Sequence, residues 1–375
     1  MRIAVNTRLL LSNKLEGIGW FTFENLKRIT QAHPEHHFYF IFDRPYSDEF
    51  IFSENITPIV VFPPTRHPIL WYFWFEWRIP SILKKLNADL FLSPDGWISL
   101  RSKIKTVNVI HDINFEHFPE YTPFVFRWYY RYFFPKYAHK ASRLATVSSY
   151  SKQDIVNTYG IDPDKIDVVY NGSHDLYKAV SEEIKQQTRE QFTNGKPYFI
   201  FVGALHQRKN IANLFRAFDL FRKEDSLNHK LMIVGSKMWW KGEMQQTYDA
   251  MQYKKDVVFT ERLEPEVLNR TLGSAVALMY VSYFEGFGIP IIEAFYSETA
   301  VITSTTTSMP EVAGDAALYA HPENIAEIAH QMKLISTNPE LRKTLIEKGK
   351  IQRQKFSWNM TAENLWKTIE KVMKV

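Results

Sequence analysis

The sequence predicts an α/β protein with two Rossmann-like domains, each containing a parallel β-sheet. Short apolar runs alternate with longer helix-like segments, which is typical of βαβ units. The chain has 375 residues, of which 45% are hydrophobic. It therefore exceeds the usual size of a single core and has enough apolar material for two.

The predicted strands fall into two series separated by a polar stretch. The first series lies at residues 3–5, 38–42, 89–92, 107–110, 144–147 and 167–170, and the second at residues 198–202, 230–234, 257–259, 277–280 and 300–303. Residues 181–196 between them have the composition of a linker. We therefore place a boundary near residue 180 and predict domains of residues 1–180 and 181–356, followed by an amphipathic helix at 357–375.

Composition excludes several kinds of chemistry. The chain contains no cysteine, which rules out disulfides, thiolate nucleophiles and cysteine-ligated zinc. It begins without the basic segment and apolar stretch of a secretory signal, and no run approaches the ~18 apolar residues of a membrane span. We expect a cytoplasmic protein, soluble or peripheral at the inner face of the membrane. The net charge of +5 is compatible with attraction to phosphates or anionic lipid.

The most informative segment is residues 285–293, where Glu285 and Glu293 flank a Gly-Phe-Gly turn. Gly286 and Gly288 allow a ligand to approach the backbone closely, and Pro290 suits the first turn of a helix. Free amide groups and the positive end of the helix dipole favour an anion at such a position. The segment predicts a site for a nucleoside diphosphate sugar. The alternative is a solvated helix start with two surface glutamates.

This segment resembles the E-x7-E signature of retaining glycosyltransferases with the two-domain GT-B fold, of the glycosyltransferase family 4 type that includes many bacterial mannosyl- and N-acetylglucosaminyltransferases. Residues 305–318 are similar to the family's continuation after that signature. The resemblance implies parallel sheets facing a central cleft, with acceptor bound by the N-terminal domain and nucleotide sugar by the C-terminal domain. It implies that Glu285 lies beside the donor sugar, that Glu293 contacts the nucleotide ribose, and that the last helix crosses back onto the N-terminal domain.

A basic turn follows the first strand of the second series. Gly203 begins this turn, and Arg208 and Lys209 come just before a helix expected near Ile211. A diphosphate leaving group gains negative charge as the sugar bond breaks, so fixed cations stabilise the transition state more than the ground state. The turn also matches the family's Arg-Lys-Asn phosphate-binding turn, although Ala204 departs from the arginine common there. A basic helix start without a ligand is the alternative.

Candidate residues in the first domain follow the ends of predicted strands. His111 could bind a sugar hydroxyl or the acceptor, and Asp112 could orient its ring or bind the acceptor. His111 matches the family's histidine at this strand end, and a structural histidine is the alternative. Gly17 and Gly19 resemble the family's Gly-Ile-Gly loop, with a helix expected from near Trp20. Here the alternative is a turn needed only for packing.

The candidate site residues form three sets. The catalytic candidates are His111, Arg208, Lys209 and Glu285, the donor-binding candidates are Gly17, Gly19, Gly203, Arg208, Lys209, Leu263, Glu285, Gly286, Phe287, Gly288 and Glu293, and the acceptor-binding candidate is Asp112. Asp162 and Asp164 formally spell the D-x-D of metal-dependent transferases, but Asp-Pro-Asp is typical of a turn. We therefore expect no metal and no cofactor, with Arg208 and Lys209 supplying the countercharge.

Residues 124–140 mix large aromatic side chains with Arg127, Arg131, Lys136 and Lys140. Such a mixture can settle into a membrane interface. The alternative is a helix packed inside the first domain with its basic residues at the rim.

These features predict a retaining transferase that moves a hexose from a nucleoside diphosphate to a saccharide or lipid-linked saccharide, with an α linkage, in surface polysaccharide synthesis. No side chain is an obvious nucleophile, so we favour attack on the face from which the diphosphate departs, as is usually proposed for this fold. Residues 71–80 and 92–96 resemble bacterial surface-polysaccharide mannosyltransferases and favour GDP-mannose over a UDP-hexose. Rival functions are a non-catalytic sugar-nucleotide-binding subunit and a GT-B epimerase. No nucleic acid partner is expected.

Overall fold

The computed structural model describes residues 1–12, 15–236, 240 and 242–374. The chain divides into two compact units. Unit 1 is Met1–Gly172 together with the C-terminal residues from Trp358, and unit 2 is Ser173–Ser357. The predicted boundary near residue 180 lies a few residues beyond the point where unit 2 begins.

Unit 1 is a seven-stranded parallel sheet with helices between the strands. Its strands are β1 (Arg2–Asn6), β2 (His37–Phe42), β3 (Ile56–Val60), β4 (Leu90–Ser93), β5 (Lys105–Val109), β6 (Arg143–Thr146) and β7 (Ile166–Val168), and its helices before residue 172 are α1 (Gly17–Ala32), α2 (Pro68–Phe73), α3 (Ile79–Lys85), α4 (Asn114–His117), α5 (Phe124–Lys140) and α6 (Ser149–Tyr159). The strand order is β3-β2-β1-β4-β5-β6-β7. In the central register, Val5 lies between Phe40 and Leu92. These side chains are fully buried, as expected for a parallel sheet covered on both faces.

Unit 2 is a six-stranded parallel sheet of the same kind. Its strands are β8 (Tyr198–Val202), β9 (Lys230–Val234), β10 (Val257–Thr260), β11 (Ala277–Tyr280), β12 (Ala300–Ser304) and β13 (Ala317–Ala320), and its helices are α7 (Glu182–Thr193), α8 (Ile211–Arg222), α9 (Glu243–Ala250), α10 (Pro265–Gly273), α11 (Ile289–Tyr296), α12 (Met309–Ala313), α13 (Ile325–Thr337) and α14 (Pro339–Gln352). The strand order is β10-β9-β8-β11-β12-β13. In both units the order reverses beside the first strand, and such switch points are where open α/β sheets bind ligands.

The prediction of a linker at residues 181–196 was wrong, because most of this segment is helix α7. Its polarity has a different cause. Ser181 caps the helix by accepting a hydrogen bond from the amide of Ile184, and Asn194 ends it in a left-handed conformation. Most of its side chains are exposed, so the charged composition belongs to the solvated face of a surface helix.

The last helix, α15 (Trp358–Met373), packs on unit 1. The Lys105 ammonium donates to the carbonyl of Val372 at 2.9 Å, and the Thr361 hydroxyl donates to the carbonyl of Tyr170 at 2.6 Å. Its inner face is buried against α1, β5 and β6. No helix in the described part of the chain is long and apolar enough to cross a membrane.

Candidate active site

The basic turn and the Gly-Phe-Gly turn meet at the switch point of unit 2. Arg208 and Lys209 lie in a 3-10 turn after β8, and Glu285 lies in the loop after β11. Strands β8 and β11 are direct neighbours, so the segments that leave their carboxyl ends lie side by side. Three of the four catalytic candidates are thereby brought together.

Both oxygens of the Glu285 carboxylate contact cations. Arg208 Nη1 lies 2.7 Å from Oε2 and Lys209 Nζ lies 2.5 Å from Oε1. Arg208 also donates to the carbonyl of Phe284 at 2.6 Å, and Lys209 donates to the Tyr280 hydroxyl at 2.8 Å. The three charged side chains are at most 19% exposed. Two cations around one carboxylate leave a net positive charge at this point.

The electrostatics keep this cluster ionised. Burial by itself would raise the pKa of Glu285, but the charges of Arg208 and Lys209 and the hydrogen bonds to the carboxylate lower that pKa to about 2. Burial lowers the pKa of His206, and the two cations lower it further. The imidazole of His206 therefore adds no charge at neutral pH, and the positive charge is that of Arg208 and Lys209.

The loop that carries Glu285 is held by the segment after β12. The Ser308 hydroxyl donates to the carbonyls of Glu285 and Phe287 at 2.9 and 3.0 Å, and the Glu285 amide donates to Thr307 Oγ1 at 3.3 Å. Gly288 has a φ of 103° just before α11, a conformation that favours glycine. The sequence 305–318 thus has a physical role, since its hydroxyls fix the turn that positions the carboxylate.

The turn after β8 is shaped by a close approach between the backbones of Gly203 and Gly235. The Gly203 amide donates to the carbonyl of Val234 at 2.9 Å, and a Cβ on Gly235 would lie 1.9 Å from the carbonyl oxygen of Gly203. Asn210 has a φ of 58°, and its side-chain amide donates to the carbonyls of Val281 and Pro322. Hydrogen bonds to backbone carbonyls thus hold the chain both before Arg208, at Gly203, and after it, at Asn210.

Glu293 takes a different partner from Glu285. It lies in α11, is half-buried and is hydrogen-bonded by Tyr177. Burial raises its pKa to about 7, and the bond from Tyr177 opposes that rise. The two glutamates of the signature therefore differ in charge near neutral pH, because one is paired with cations and the other with a phenol.

The remaining donor-binding candidates of unit 2 are spread more widely. Gly286 and Phe287 are buried, and the ring of Phe287 packs edge-on against Phe356 at 5.5 Å. Leu263 is half-buried in the loop after β10, two strands from β8. The structure gives Phe287 a packing role and places Leu263 apart from the ion cluster.

In unit 1, His111 and Asp112 follow β5. His111 Nε2 lies 2.8 Å from the carbonyl oxygen of Pro94, and the Phe21 ring contacts the imidazole edge-on at 4.8 Å. Burial lowers the pKa of His111 and favours the neutral form. Asp112 Oδ1 accepts a hydrogen bond from the amide of Asn114 at 3.0 Å. The imidazole is thus positioned by a backbone carbonyl, while Asp112 supports the start of α4.

The predicted helix start near Trp20 was wrong, because α1 begins at Gly17. Gly17 and Gly19 therefore lie in the first turn of the helix. A Cβ at Gly19 would lie 3.0 Å from the carbonyl oxygen of Leu9 and 3.2 Å from the side chain of Leu15. Close packing explains Gly19, whereas Gly17 has open space around it.

Sequence reasoning missed a buried ion pair at the switch point of unit 1. Arg8 Nε lies 2.6 Å from Asp95 Oδ2, with side chains 5% and 3% exposed. Asn6 donates to Asp95 Oδ1 at 2.8 Å, and the Arg8 guanidinium lies 4.4 Å from the centroid of the Trp97 ring. The only sequence signal was the Ser-Pro-Asp at the end of β4, since Arg8 and Asp95 are distant in the chain.

Two groups of potential ligands bear on metal binding. Asp162 accepts a hydrogen bond from the amide of Asp164 at 2.9 Å and caps a 3-10 turn, the turn predicted for Asp-Pro-Asp. In the described part of the chain, three potential ligands cluster at His33, Glu35 and His36. They precede β2 and so lie where the strands of the sheet begin, whereas His111 lies where β5 ends.

The comparisons with known proteins assign these two Rossmann-like units to the GT-B class of glycosyltransferases. Residues 181–352 match the family of glycosyl transferases group 1, and residues 17–174 match glycosyltransferase family 4. The O-antigen chain mannosyltransferase RfbU of Salmonella typhimurium is 30% identical over 274 residues, 73% of this chain and 72% of that protein. The O-antigen chain mannosyltransferase B of Escherichia coli is 25% identical over 285 residues, 76% of this chain and 74% of that protein.

A solved structure supports the same fold. HepE of Anabaena, in complex with UDP and glucose, has a TM-score of 0.77 and 16% identity, covering 99% of this chain and 100% of that one. The chain belongs to the GT-B glycosyltransferases of family 4 type. The predicted family and the predicted α/β fold with two parallel sheets are confirmed.

Proposed function

We propose that this glycosyltransferase is a retaining enzyme that transfers mannose from GDP-mannose to a saccharide or lipid-linked saccharide in surface polysaccharide synthesis. The observation that carries the proposal is the cluster at the switch point of unit 2, where Arg208 and Lys209 contact opposite oxygens of Glu285. Fixed cations in a largely buried site are well suited to bind the negatively charged oxygens of a phosphoryl group.

Arg208 and Lys209 are proposed to hold the donor diphosphate. The leaving group gains negative charge as the bond to the sugar breaks, so these cations stabilise the transition state more than the bound donor. Glu285 keeps both cations in place and ionised before the donor arrives. With a pKa of about 2, Glu285 stays a carboxylate at any physiological pH and can face the positive charge that develops at the anomeric carbon.

Retention is proposed to result from attack on the face from which the diphosphate leaves, with an α linkage in the product. The leaving phosphate would take the acceptor proton, so no protein base is required. His111 is proposed to accept a hydrogen bond from a sugar hydroxyl at Nδ1, because the single N–H of its neutral ring is directed from Nε2 to the Pro94 carbonyl. Asp112 remains the proposed acceptor contact and Glu293 the proposed ribose contact.

Two further parts of the proposal concern the donor and the metal. Mannose is favoured because two O-antigen relatives are named mannosyltransferases. A UDP-hexose is the second candidate, because the similar structure of HepE holds UDP and glucose. Metal independence is proposed because Arg208 and Lys209 supply the countercharge at the diphosphate. Turnover should therefore be insensitive to a chelator.

The proposal is tested by thermal unfolding with GDP-mannose, UDP-glucose, UDP-N-acetylglucosamine and ADP-glucose. A donor at about 100 times its Kd stabilises the folded state by ~2.7 kcal/mol. We expect one donor to raise the Tm of the wild type and to lose that effect in Arg208→Ala. The control is Arg216→Ala, whose arginine pairs with Glu243 at 2.9 Å and is partly exposed. A shift that persists in Arg208→Ala would contradict the proposed phosphate site. No shift with any donor would contradict the proposed nucleotide-sugar site itself.

A further inference from the structure

Unit 1 exposes a set of large apolar side chains, six of them aromatic, on two neighbouring segments. One segment is α2 with the following π-helical turn Trp74–Arg78, and the other is α5. The exposed members are Ile69, Tyr72, Phe73, Trp77, Phe124, Val125, Trp128 and Tyr132. We refer to these eight residues as the aromatic face. Trp77 and Trp128 are 53% and 57% exposed, although such side chains are usually covered.

Packing inside unit 1 does not require these residues. The same segments bury a second set of apolar side chains, namely Trp71, Trp74, Phe75, Tyr129, Phe133, Phe134 and Tyr137. Helix α5 therefore has one aromatic side in the core and another in solvent. The inner side of residues 124–140 packs inside the unit, as one of the two alternatives predicts. For the exposed outer side, the membrane-interface alternative stays a prediction.

Exposed rings of the two segments are linked through Phe133. The Tyr72 ring lies 5.9 Å from the Phe133 ring, and Phe133 contacts Tyr132 edge-on at 4.9 Å. Along α5, the rings of Trp128 and Tyr132 stack at 5.5 Å with planes 4° apart. An exposed apolar surface that spans neighbouring elements is characteristic of an interaction site.

Cations accompany the aromatic face. Lys136 Nζ lies 3.2 Å from the centroid of the Tyr132 ring, and the Arg101 guanidinium lies 4.0 Å from the centroid of the Trp77 ring. Residues 66–85 and 123–140 contain a single acidic residue, Glu76. Glu76 is buried and accepts hydrogen bonds from the amides of Leu100 and Arg101. These two segments therefore expose cations and no carboxylate.

We propose that the aromatic face docks on an anionic phospholipid bilayer. Trp and Tyr rings prefer the headgroup level of a membrane, and adjacent Lys and Arg side chains contact lipid phosphates. Partial insertion of an amphipathic surface needs no spanning helix. The inference concerns a surface of unit 1 and is independent of the ion cluster and of the donor proposed above.

Vesicle co-sedimentation tests this proposal. The full chain is mixed with vesicles of phosphatidylcholine alone or of phosphatidylcholine with phosphatidylglycerol. We expect binding to the anionic vesicles, weakened by salt. Phe124→Ser and Trp128→Ser should each lower the affinity by roughly tenfold, because each removes an exposed aromatic ring that docking would bury in the bilayer. Lys136→Glu should lower it by at least ~5-fold through charge.

Matched controls lie in unit 2. Leu227→Ser and Ile351→Ser change exposed apolar residues, and Lys343→Glu changes an exposed lysine. We expect all three to bind vesicles like the wild type, and near-identical Tm values would show that every variant folds. Vesicles with brominated acyl chains should quench the fluorescence of the wild type. Trp77→Phe/Trp128→Phe should bind but lose most of that quenching.

Three outcomes would overturn the proposal. One is binding that is the same for the aromatic-face variants and the controls. Another is absence of binding to either vesicle by a protein that still shifts its Tm with a nucleotide sugar, which would leave the proposed function intact. The third is a concentration-dependent dimer that Trp128→Ser abolishes, because the aromatic face would then belong to a contact between copies of the chain.

Discussion

The switch points of the two sheets share a topology but use charge differently. In unit 1, Arg8 and Asp95 form a one-to-one ion pair that is almost fully buried and covered by aromatic rings. In unit 2, two cations surround Glu285 and leave an excess of positive charge. A neutralised pair holds loops together, whereas an unbalanced cluster can bind an anion. The strand order places both ion groups at the same point of their sheets, and the balance of charge is what differs between them.

Removing one partner from the unit 1 pair should have the largest effect. Asp95→Ala leaves the Arg8 guanidinium buried without its carboxylate, which costs about 3–5 kcal/mol of unfolding free energy. Chemical denaturation measures this loss. The control is Glu363→Ala in the exposed pair with Lys367, which should cost less than ~1 kcal/mol. Equal losses in the two variants would mean that the buried pair is not structural.

Removing one cation from unit 2 should affect turnover more than stability. Lys209→Ala deletes a contact to the proposed leaving group and should lower kcat by about 10²–10³-fold. Steady-state transfer from the nucleotide sugar measures this effect. The control is Lys230→Ala, whose lysine pairs with Asp256 at 2.6 Å at the start of β9, at the opposite edge of the sheet. A Lys209→Ala variant with normal kcat would show that the cluster is structural, like the pair in unit 1.

The smallest expected effect is a pH dependence of the unfolding free energy that distinguishes Glu293 from Glu285. The pKa of Glu293 is raised to about 7 in the fold from an ordinary 4.5, so the folded state binds more protons in that window and loses stability as pH rises through it. For this half-buried group we expect the unfolding free energy to fall by about 2 kcal/mol as pH rises through that window. Glu293→Gln should abolish this pH dependence of the unfolding free energy.

Glu285 supplies the opposite control within the same signature. Its pKa is lowered to about 2, so its stabilising contribution is complete above pH 4.5 and is lost as pH falls towards 2. Glu285→Gln should therefore leave the slope between pH 4.5 and 7 unchanged. If Glu285→Gln flattened that slope and Glu293→Gln did not, the environments of the two carboxylates would be reversed.

Much of the fold was readable because buried parallel strands are short apolar runs. All eleven runs given as strands coincide with strands of the structure to within a few residues. Strand β3 was missed because Pro58 interrupts its pattern and it lies at the edge of its sheet, where burial is partial. Strand β13 was missed because its four residues occur inside a stretch that was interpreted as a motif.

The site was partly readable for a related reason. Charged residues directly after a strand are visible in the sequence, which is why Arg208, Lys209 and Glu285 could be proposed. Tyr280 was not recognised because it ends an apolar run and looks like a core residue, although its hydroxyl accepts from Lys209. Tyr177 lies just before the segment taken for a linker. Partners that meet only through tertiary packing carry no local signal.

The placement of α15 on unit 1 has a consequence for synthesis. Unit 1 is discontinuous in sequence, with all of unit 2 inserted between Gly172 and Trp358. A ribosome must therefore translate unit 2 before the helix that covers α1, β5 and β6 becomes available. Domains ordinarily fold in order from the N-terminus, but here the second unit can complete its core while the first still has an uncovered hydrophobic surface. The nascent chain thus carries that surface until α15 has been translated.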